Sequence, residues 1–147
     1  MPHFSLPITP NGPLIDAYIG VSQARSTALQ VAKQPIPNPQ KIRALIDTGA
    51  SHTCLDPSVL VALGIPPTGT TTIITPSTGN APHTVDVYDI SILIPAATPP
   101  PHVLNTVAVA GCELIQAQGF HALIGRDILA RWVMHYNGPI GLLTVSY

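Results

Sequence analysis

The residues best placed to do chemistry lie in one short stretch, residues 44–51, with the sequence Ala-Leu-Ile-Asp-Thr-Gly-Ala-Ser. The two apolar residues before Asp47 indicate the end of a buried strand, and Gly49 permits a tight turn directly after it. Backbone N–H groups and the Thr48 hydroxyl can then reach the carboxylate. A carboxylate held in this way can accept or donate a proton, which is general acid–base chemistry. Because Asp-Thr-Gly is also an ordinary turn tripeptide, the interpretation depends on the rest of the chain.

A second stretch far downstream, residues 123–129, has the sequence Leu-Ile-Gly-Arg-Asp-Ile-Leu. Together the two stretches resemble the retropepsin-like aspartic proteases. In that family a hydrophobic-Asp-Thr-Gly-Ala/Ser loop is paired with a downstream hydrophobic-hydrophobic-Gly-Arg-Asp/Asn-hydrophobic-hydrophobic segment. Both segments are present here in the right order. The resemblance covers most of the chain in layout and is specific in about fifteen residues.

The resemblance implies a fold and an activity. The chain is expected to be mainly β, with a single acid-protease domain over residues 1–147 that forms a closed, barrel-like structure. One or two short helices and a twofold homodimer complete the expected architecture. The implied activity is that of an aspartic endopeptidase acting on an extended peptide with hydrophobic side chains near the cleaved bond. The alternative is a non-catalytic dimerisation or peptide-binding module of the same fold.

Aspartic proteolysis needs two carboxylates that share a proton and hold a water between them, one acting as acid and the other as base. The sequence has a single Asp-Thr-Gly. The remaining acids do not sit in equivalent turns: Asp16, Asp56, Asp86, Asp89, Glu113 and Asp127. The simplest arrangement is therefore a homodimer in which each subunit contributes Asp47. This chemistry requires no metal, no other cofactor and no covalent intermediate.

The resemblance also assigns supporting roles to the residues after Asp47. Thr48 is expected to hydrogen-bond across the dimer axis and lock the two loops together. Gly49 is expected to lie against the substrate backbone, where a side chain would collide. Ala50 stands where pepsin-like enzymes usually have a hydroxyl residue that hydrogen-bonds the catalytic carboxylate.

In the downstream motif, Arg126 and Asp127 are expected to be structural and to tie a short helix to the loop beneath Asp47. In retroviral members the arginine pairs with an acid two residues after Asp-Thr-Gly. Here that position is Ser51. The partner of Arg126 therefore stays open at the level of sequence.

A strand–turn–strand unit at about residues 70–94 lies where the family carries its flap, a hairpin that closes over substrate. Residues 70–75 are rich in β-branched side chains, and residues 76–82 have the composition of a turn. An ordinary surface hairpin is the alternative. If the unit is a flap, its substrate-binding residues are expected at Thr75, Ser77, Thr78, Gly79 and Asn80.

The remaining segments predict the elements that position this loop. Asp56, Pro57 and Gly64 mark a compact helix by its N-cap, first position and C-terminal stop. Residues 1–13, with four prolines, predict an extended arm. Further strands are predicted at residues 14–21, 27–32, 41–46 and 103–110, a short helix at 127–131, and a closing hairpin at 132–147. The apolar segment 140–147 is expected to pair at a sheet edge in the dimer, although it could also be the last strand of a core sheet.

Composition narrows the possible partners. Only 9% of residues are charged, whereas 46% are apolar, which suggests that another chain covers part of the surface. A net charge of −1 gives no indication of binding to nucleic acid or to acidic lipid. The sequence shows neither a secretory signal nor an apolar run long enough to cross a bilayer, so a cytoplasmic location is expected. Cys54 and Cys112 have no metal or redox spacing and are expected to behave as small buried residues.

Overall fold

The computed structural model describes residues 1–75, 79 and 81–147. Within these residues it has ten strands and four short helices. In chain order they are β1 (His3–Thr9), β2 (Gly12–Val21), α1 (Gln23–Val31), β3 (Gln40–Ile46), β4 (Cys54–Leu55), α2 (Pro57–Ala62), β5 (Gly69–Ile73), β6 (His83–Ile94), β7 (His102–Gly111), α3 (Ile115–Gln118), β8 (Ala122–Ile124), α4 (Arg126–Leu129), β9 (Val133–Asn137) and β10 (Leu142–Ser146).

Six of the strands close into a barrel. Strand β2 pairs with β3 and β6, β6 with β7, β7 with β4, β4 with β8, and β8 with β3. The β3–β8 and β4–β7 pairs are parallel, whereas the others are antiparallel. The predicted mainly β, closed architecture is therefore confirmed.

The barrel interior is filled by alternate residues of its strands, because successive side chains of a strand point to opposite faces. Ala17 and Ile19 of β2, Ala44 and Ile46 of β3, and Ile124 of β8 are all at most 5% exposed. Residues between them point outward. This alternation places the side chain of Ile46 in the core and leaves the chain at Asp47 emerging from the end of a packed strand.

Strands β1, β10 and β9 form an extension that we call the terminal sheet. Residues 1–13, predicted as an extended arm, contribute β1, which pairs with β10 along its length and with β2 at Ile8–Pro13. Strand β10 lies between β1 and β9, so both its edges are hydrogen-bonded within the chain. The prediction that residues 140–147 are free to pair at a sheet edge is therefore wrong within one chain. Their part in dimerisation remains a prediction.

The helices agree with the sequence in one place and differ in another. Asp56 caps α2, Pro57 is its first residue, and Gly64 just beyond it has a positive φ of 61°. By contrast, the predicted strand at residues 27–32 lies in α1. Gln, Ala, Arg and Leu in this segment favour a helix, and Ser22 caps it by accepting a hydrogen bond from the Arg25 N–H. The described ranges thus hold four short helices instead of one or two, and none is long and apolar enough to cross a bilayer.

The expected flap region contains an antiparallel hairpin of β5 and β6, in register from Gly69–Val87 to Ile73–His83. Of the predicted flap residues, Thr75 and Gly79 belong to the described part of the chain, and Gly79 is exposed with a φ of 61°. Ser77, Thr78 and Asn80 lie outside the described residues. The action of this hairpin as a flap remains a prediction.

Candidate active site

Asp47 is positioned by two strands that are distant in sequence. It is the first residue after β3, and β3 runs parallel to β8 with Ile46 opposite Ile124. The Asp47 N–H donates a hydrogen bond to the Ile124 carbonyl at 3.0 Å. The backbone at Asp47 therefore continues the ladder by one more bond. This fixes where the side chain leaves the barrel, and that side chain is partly exposed.

The turn after Asp47 holds one oxygen of its carboxylate. The Gly49 N–H donates to Asp47 Oδ1 at 2.8 Å, and the Ala50 N–H donates to the Asp47 carbonyl at 3.3 Å. A Cβ atom added at Gly49 would lie 3.0 Å from Asp47 Oδ1, so a side chain there would press on the carboxylate. Thr48 and Gly49 are exposed, and Ala50 is half-buried. The turn thus orients the carboxylate toward the surface without enclosing it.

Arg126 holds the turn by donating hydrogen bonds to backbone carbonyl groups of residues 48–50. Its guanidinium Nη1 donates to the Thr48 carbonyl at 3.0 Å and approaches the Gly49 carbonyl at 3.5 Å. Its backbone N–H donates to the Ala50 carbonyl at 2.9 Å. The partner that the sequence left open is therefore the loop backbone. A cation with several donors suits adjacent carbonyl oxygens, so no acid is required at Ser51.

Asp127 reaches under the loop and binds Thr53. Asp127 accepts the Thr53 hydroxyl at 2.8 Å and the Thr53 N–H at 3.0 Å, while the Thr53 hydroxyl oxygen accepts the Gly125 N–H at 3.1 Å. Thr53 is only 2% exposed. A Cβ added at Gly125 would lie 2.6 Å from the carbonyl carbon of His52. The two motifs are thus joined through a third segment, residues 52–53, which sequence reasoning did not identify.

Comparisons with known proteins show the family and the fold of the chain. The model of the family described as aspartyl protease matches residues 35–128, which include both motifs and more than half of the chain. This chain belongs to the aspartyl protease family. Its fold is similar to that of a retropepsin-like aspartic protease from Rickettsia conorii, with a TM-score of 0.60 and 17% identity over 99% of this chain and 90% of that one. A comparison with curated proteins gave no match.

Asp56 is a second carboxylate of this aspartyl protease, and its role is structural. Its oxygens accept four hydrogen bonds of 2.7–3.0 Å, from the Ser58 N–H and hydroxyl and from the N–H groups of Leu114 and Ile115. It therefore caps α2 and holds the segment that begins α3. Burial acts to raise the pKa of Asp56, but these donors outweigh burial and lower the pKa to about 2.

The other acids also differ from Asp47. Asp16 lies 2.9 Å from the Lys41 ammonium group, and Asp127 is bound to Thr53 as described above. Within the described ranges, then, the aspartyl protease chain presents one Asp-Thr-Gly turn with its carboxylate facing the surface.

An apolar strip borders Asp47 on the outward side of the barrel. Leu45 lies opposite Leu14 of β2 and Leu123 of β8, and all three are half-buried. They belong to one cluster with the hairpin residues Ile73 and Val85. The alternation of each strand could have predicted that Leu45 and Leu123 face outward, because the residues on either side of each of them face the core.

The two cysteines meet in the same cluster. The thiol of Cys54 is buried as predicted and donates a hydrogen bond to the His52 carbonyl at 3.7 Å, and the half-buried Cys112 lies in the same cluster. The neighbouring Cys112 thiol, together with burial, raises the pKa of the Cys54 thiol. Cys54 is therefore a neutral packing residue beneath the Asp47 loop.

Proposed function

We propose that this chain is an aspartic endopeptidase whose active site is completed when two copies bring their Asp47 carboxylates together. One observation carries the proposal. Asp47 stands on a turn braced by both motifs, and the turn leaves its carboxylate open toward the surface with a single described hydrogen bond. A second Asp47, related by a twofold axis, supplies the missing partner.

The chemistry follows from placing two carboxylates side by side. Two carboxyl groups about 3 Å apart cannot both be ionised, because their negative charges repel each other, so the pair shares one proton. The ionised Asp47 takes a proton from a bound water as the water oxygen attacks the peptide carbonyl. The protonated Asp47 donates to the carbonyl oxygen. The first Asp47, which now carries the proton from the water, passes it to the leaving nitrogen as the C–N bond breaks. The second Asp47 takes a proton back from a hydroxyl of the tetrahedral intermediate as the new carboxyl group forms, and the shared-proton pair is regenerated.

The neighbouring residues keep the carboxylate fixed during these steps. Arg126 holds the Thr48 and Gly49 carbonyls, so the loop cannot swing away from the dyad. Thr48, exposed at the tip, is assigned to the contact with the second copy. Gly49 leaves space for the substrate backbone, and Ala50 packs at the edge of the loop.

The substrate is proposed to be an extended peptide with hydrophobic side chains near the cleaved bond. The half-buried Leu45 and Leu123 flank Asp47 and offer apolar surface for such side chains. The β5–β6 hairpin is proposed to close over the peptide as a flap. The flap residues would then be Thr75, Ser77, Thr78, Gly79 and Asn80.

Cleavage of a peptide library by the wild type and by Asp47→Asn, at several pH values, tests this proposal. The substitution removes the acid–base group and is expected to lower turnover by about 10²–10⁴-fold. Glu113→Gln, which changes an exposed carboxylate, is the matched control and should retain full turnover. Turnover that survives Asp47→Asn would overturn the catalytic assignment.

Dimerisation is tested separately. Turnover per subunit should fall on dilution, and adding excess Asp47→Asn protein to the wild type should inhibit it, because mixed dimers hold one carboxylate. A fully active monomer would exclude the shared site. A stable dimer that binds peptides without cleaving them would instead identify a peptide-binding module.

A further inference from the structure

Four rings meet at the end of the barrel where β7 begins. They form what we call the aromatic cluster, which consists of Phe4, His102, Trp132 and Tyr147. The indole N–H of Trp132 donates a hydrogen bond to His102 Nε2 at 3.1 Å. The His102 ring lies 4.3 Å from the Tyr147 ring, and the Phe4 ring packs edge-on against Trp132 at 5.7 Å. The phenol of Tyr147 donates to the Pro100 carbonyl at 3.0 Å.

These contacts join the terminal sheet to the barrel. Phe4 belongs to β1 and Tyr147 directly follows β10, whereas His102 is the first residue of the barrel strand β7. Trp132 lies in the connection from α4 to β9 and is 8% exposed. The terminal sheet is attached elsewhere by the β1–β2 pairing at Ile8 and Thr9, and by Leu6, Leu143 and Val145, which share one core cluster with the barrel strands. The aromatic cluster is a further attachment, at the opposite end of β1 from Ile8.

The attachment depends on the protonation state of one residue. His102 Nε2 accepts the indole hydrogen, so the imidazole must be neutral with its own proton on Nδ1. A proton added at Nε2 would face the Trp132 N–H, and the hydrogen bond would be replaced by a repulsive contact between two donors. Tryptophan is a donor only and cannot reverse its role.

The surroundings of His102 favour the neutral form. Burial lowers its pKa, and the positive charge of Arg131 acts in the same direction. Tyr147 contributes a neutral phenol, and in the described residues no carboxylate pairs with His102. Since the pKa of His102 lies below its ordinary value of 6.5, the stabilisation is complete above that pH. It is lost as the pH falls through the lowered value.

We propose that His102, Trp132 and Tyr147 form a pH-sensitive latch that fastens the terminal sheet to the barrel when His102 is neutral and releases it when His102 is protonated. Release breaks the bond to Trp132 and places a charge among packed rings. The strand pairings that close the barrel do not include Trp132 or Tyr147, so the barrel stays folded. The result of acidification is local loosening of β10 and β9 and not global unfolding.

The single tryptophan of the chain makes the test direct, because its indole N–H gives one signal in a proton–nitrogen NMR spectrum. On lowering the pH from about 8 to about 4.5, this signal should shift with a midpoint below 6.5. Over the same range, hydrogen-exchange protection of the Leu143 and Val145 amides should fall roughly three- to tenfold. Protection of the Ile92 amide in the barrel should stay constant.

Two histidine variants distinguish protonation of His102 from other effects of low pH on the protein. His102→Gln keeps a side-chain acceptor that cannot be protonated in this range, so both the signal and the β10 protection should become independent of pH. His135→Gln changes an exposed histidine of β9 and should behave as the wild type does. An indole signal that stays constant in the wild type, or that titrates equally in His102→Gln, would overturn the proposal.

Trp132→Phe provides a second measurement if His102→Gln does not fold. It removes the donor and keeps an aromatic ring, so β10 protection should be lower than in the wild type at neutral pH and should fall less in acid. A loss of protection in acid as large as that of the wild type would show that another group is responsible. None of these readouts depends on proteolysis, so failure of the latch and failure of the proposed function are distinguishable.

Discussion

Asp47 and Asp56 lie close together in sequence, and Asp47 starts a turn whereas Asp56 caps a helix, but their carboxylates have different environments. Asp56 is 7% exposed and receives four hydrogen bonds on its two oxygens. Asp47 is partly exposed and receives one described hydrogen bond, on Oδ1. A carboxylate saturated with donors stays ionised and acts as a structural anchor. A carboxylate with open lone pairs can exchange protons with water and substrate.

The strongest test of this contrast is to neutralise each carboxylate in turn. Asp47→Asn should lower peptide turnover by about 10²–10⁴-fold while changing the free energy of unfolding by at most about 0.5 kcal/mol. Turnover assays and urea unfolding of the same preparation measure both quantities. A large loss of stability would mean that Asp47 is also an anchor.

Asp56→Ala should show the reverse pattern. It leaves the N–H groups of Ser58, Leu114 and Ile115 without an acceptor, and Leu114 is buried. We expect the free energy of unfolding to fall by about 3 kcal/mol, measured by urea denaturation. Turnover by the molecules that remain folded should be close to that of the wild type. An unchanged unfolding midpoint would contradict the assignment.

The pH dependence of stability sharpens the same contrast. The folded-state pKa of Asp56, about 2, lies below the ordinary value of 3.8. The contribution of this carboxylate to the free energy of unfolding is therefore fully present above pH 3.8 and is lost as the pH falls toward 2. A shift of this size corresponds to about 2 kcal/mol. The difference in unfolding free energy between the wild type and Asp56→Asn should therefore narrow by about that amount. Urea unfolding at a series of pH values from about 6 downward measures it, and a constant difference would count against the depressed pKa.

A smaller effect is expected at the support beneath Asp47. A double-mutant cycle of Thr53→Val and Asp127→Ala should give a coupling of about 1 kcal/mol, because the hydroxyl–carboxylate bond is partly buried and Thr53 is only 2% exposed. The hydrogen bond between Ser5 and Thr144 on the exposed face of the terminal sheet is the control. Its cycle, Ser5→Ala with Thr144→Val, should give a coupling near zero. Equal couplings would mean that burial does not distinguish the two bonds.

What the sequence predicted well depends on local signals. The Asp47 turn and the α2 cap are each specified by a few adjacent residues, and the barrel strands carry visible alternation. The missed features depend on partners that are distant in sequence. Thr53 is recognised as important only when Asp127 is beside it, and the partner of Arg126 is a backbone that no side-chain pattern records.

The errors have physical causes of the same kind. The sequence predicts a strand at residues 27–32, but the Ser22 cap and the helix-favouring residues of α1 make this segment helical. Residues 140–147 show the alternation of a strand, and alternation does not say which strands lie on either side. The position of β10 between β1 and β9 follows from pairing across the whole chain.

The hydrogen bond from the Asp47 N–H to the Ile124 carbonyl bears on the time at which the loop can form during synthesis. Residues 47–50 leave the ribosome before the groups that hold them, which belong to β8 and α4. Contacts between such distant segments form late because a long intervening chain must be closed first. The hydrogen bonds that anchor the Asp47 turn to β8 and α4 therefore form only after residues 124–127 have emerged.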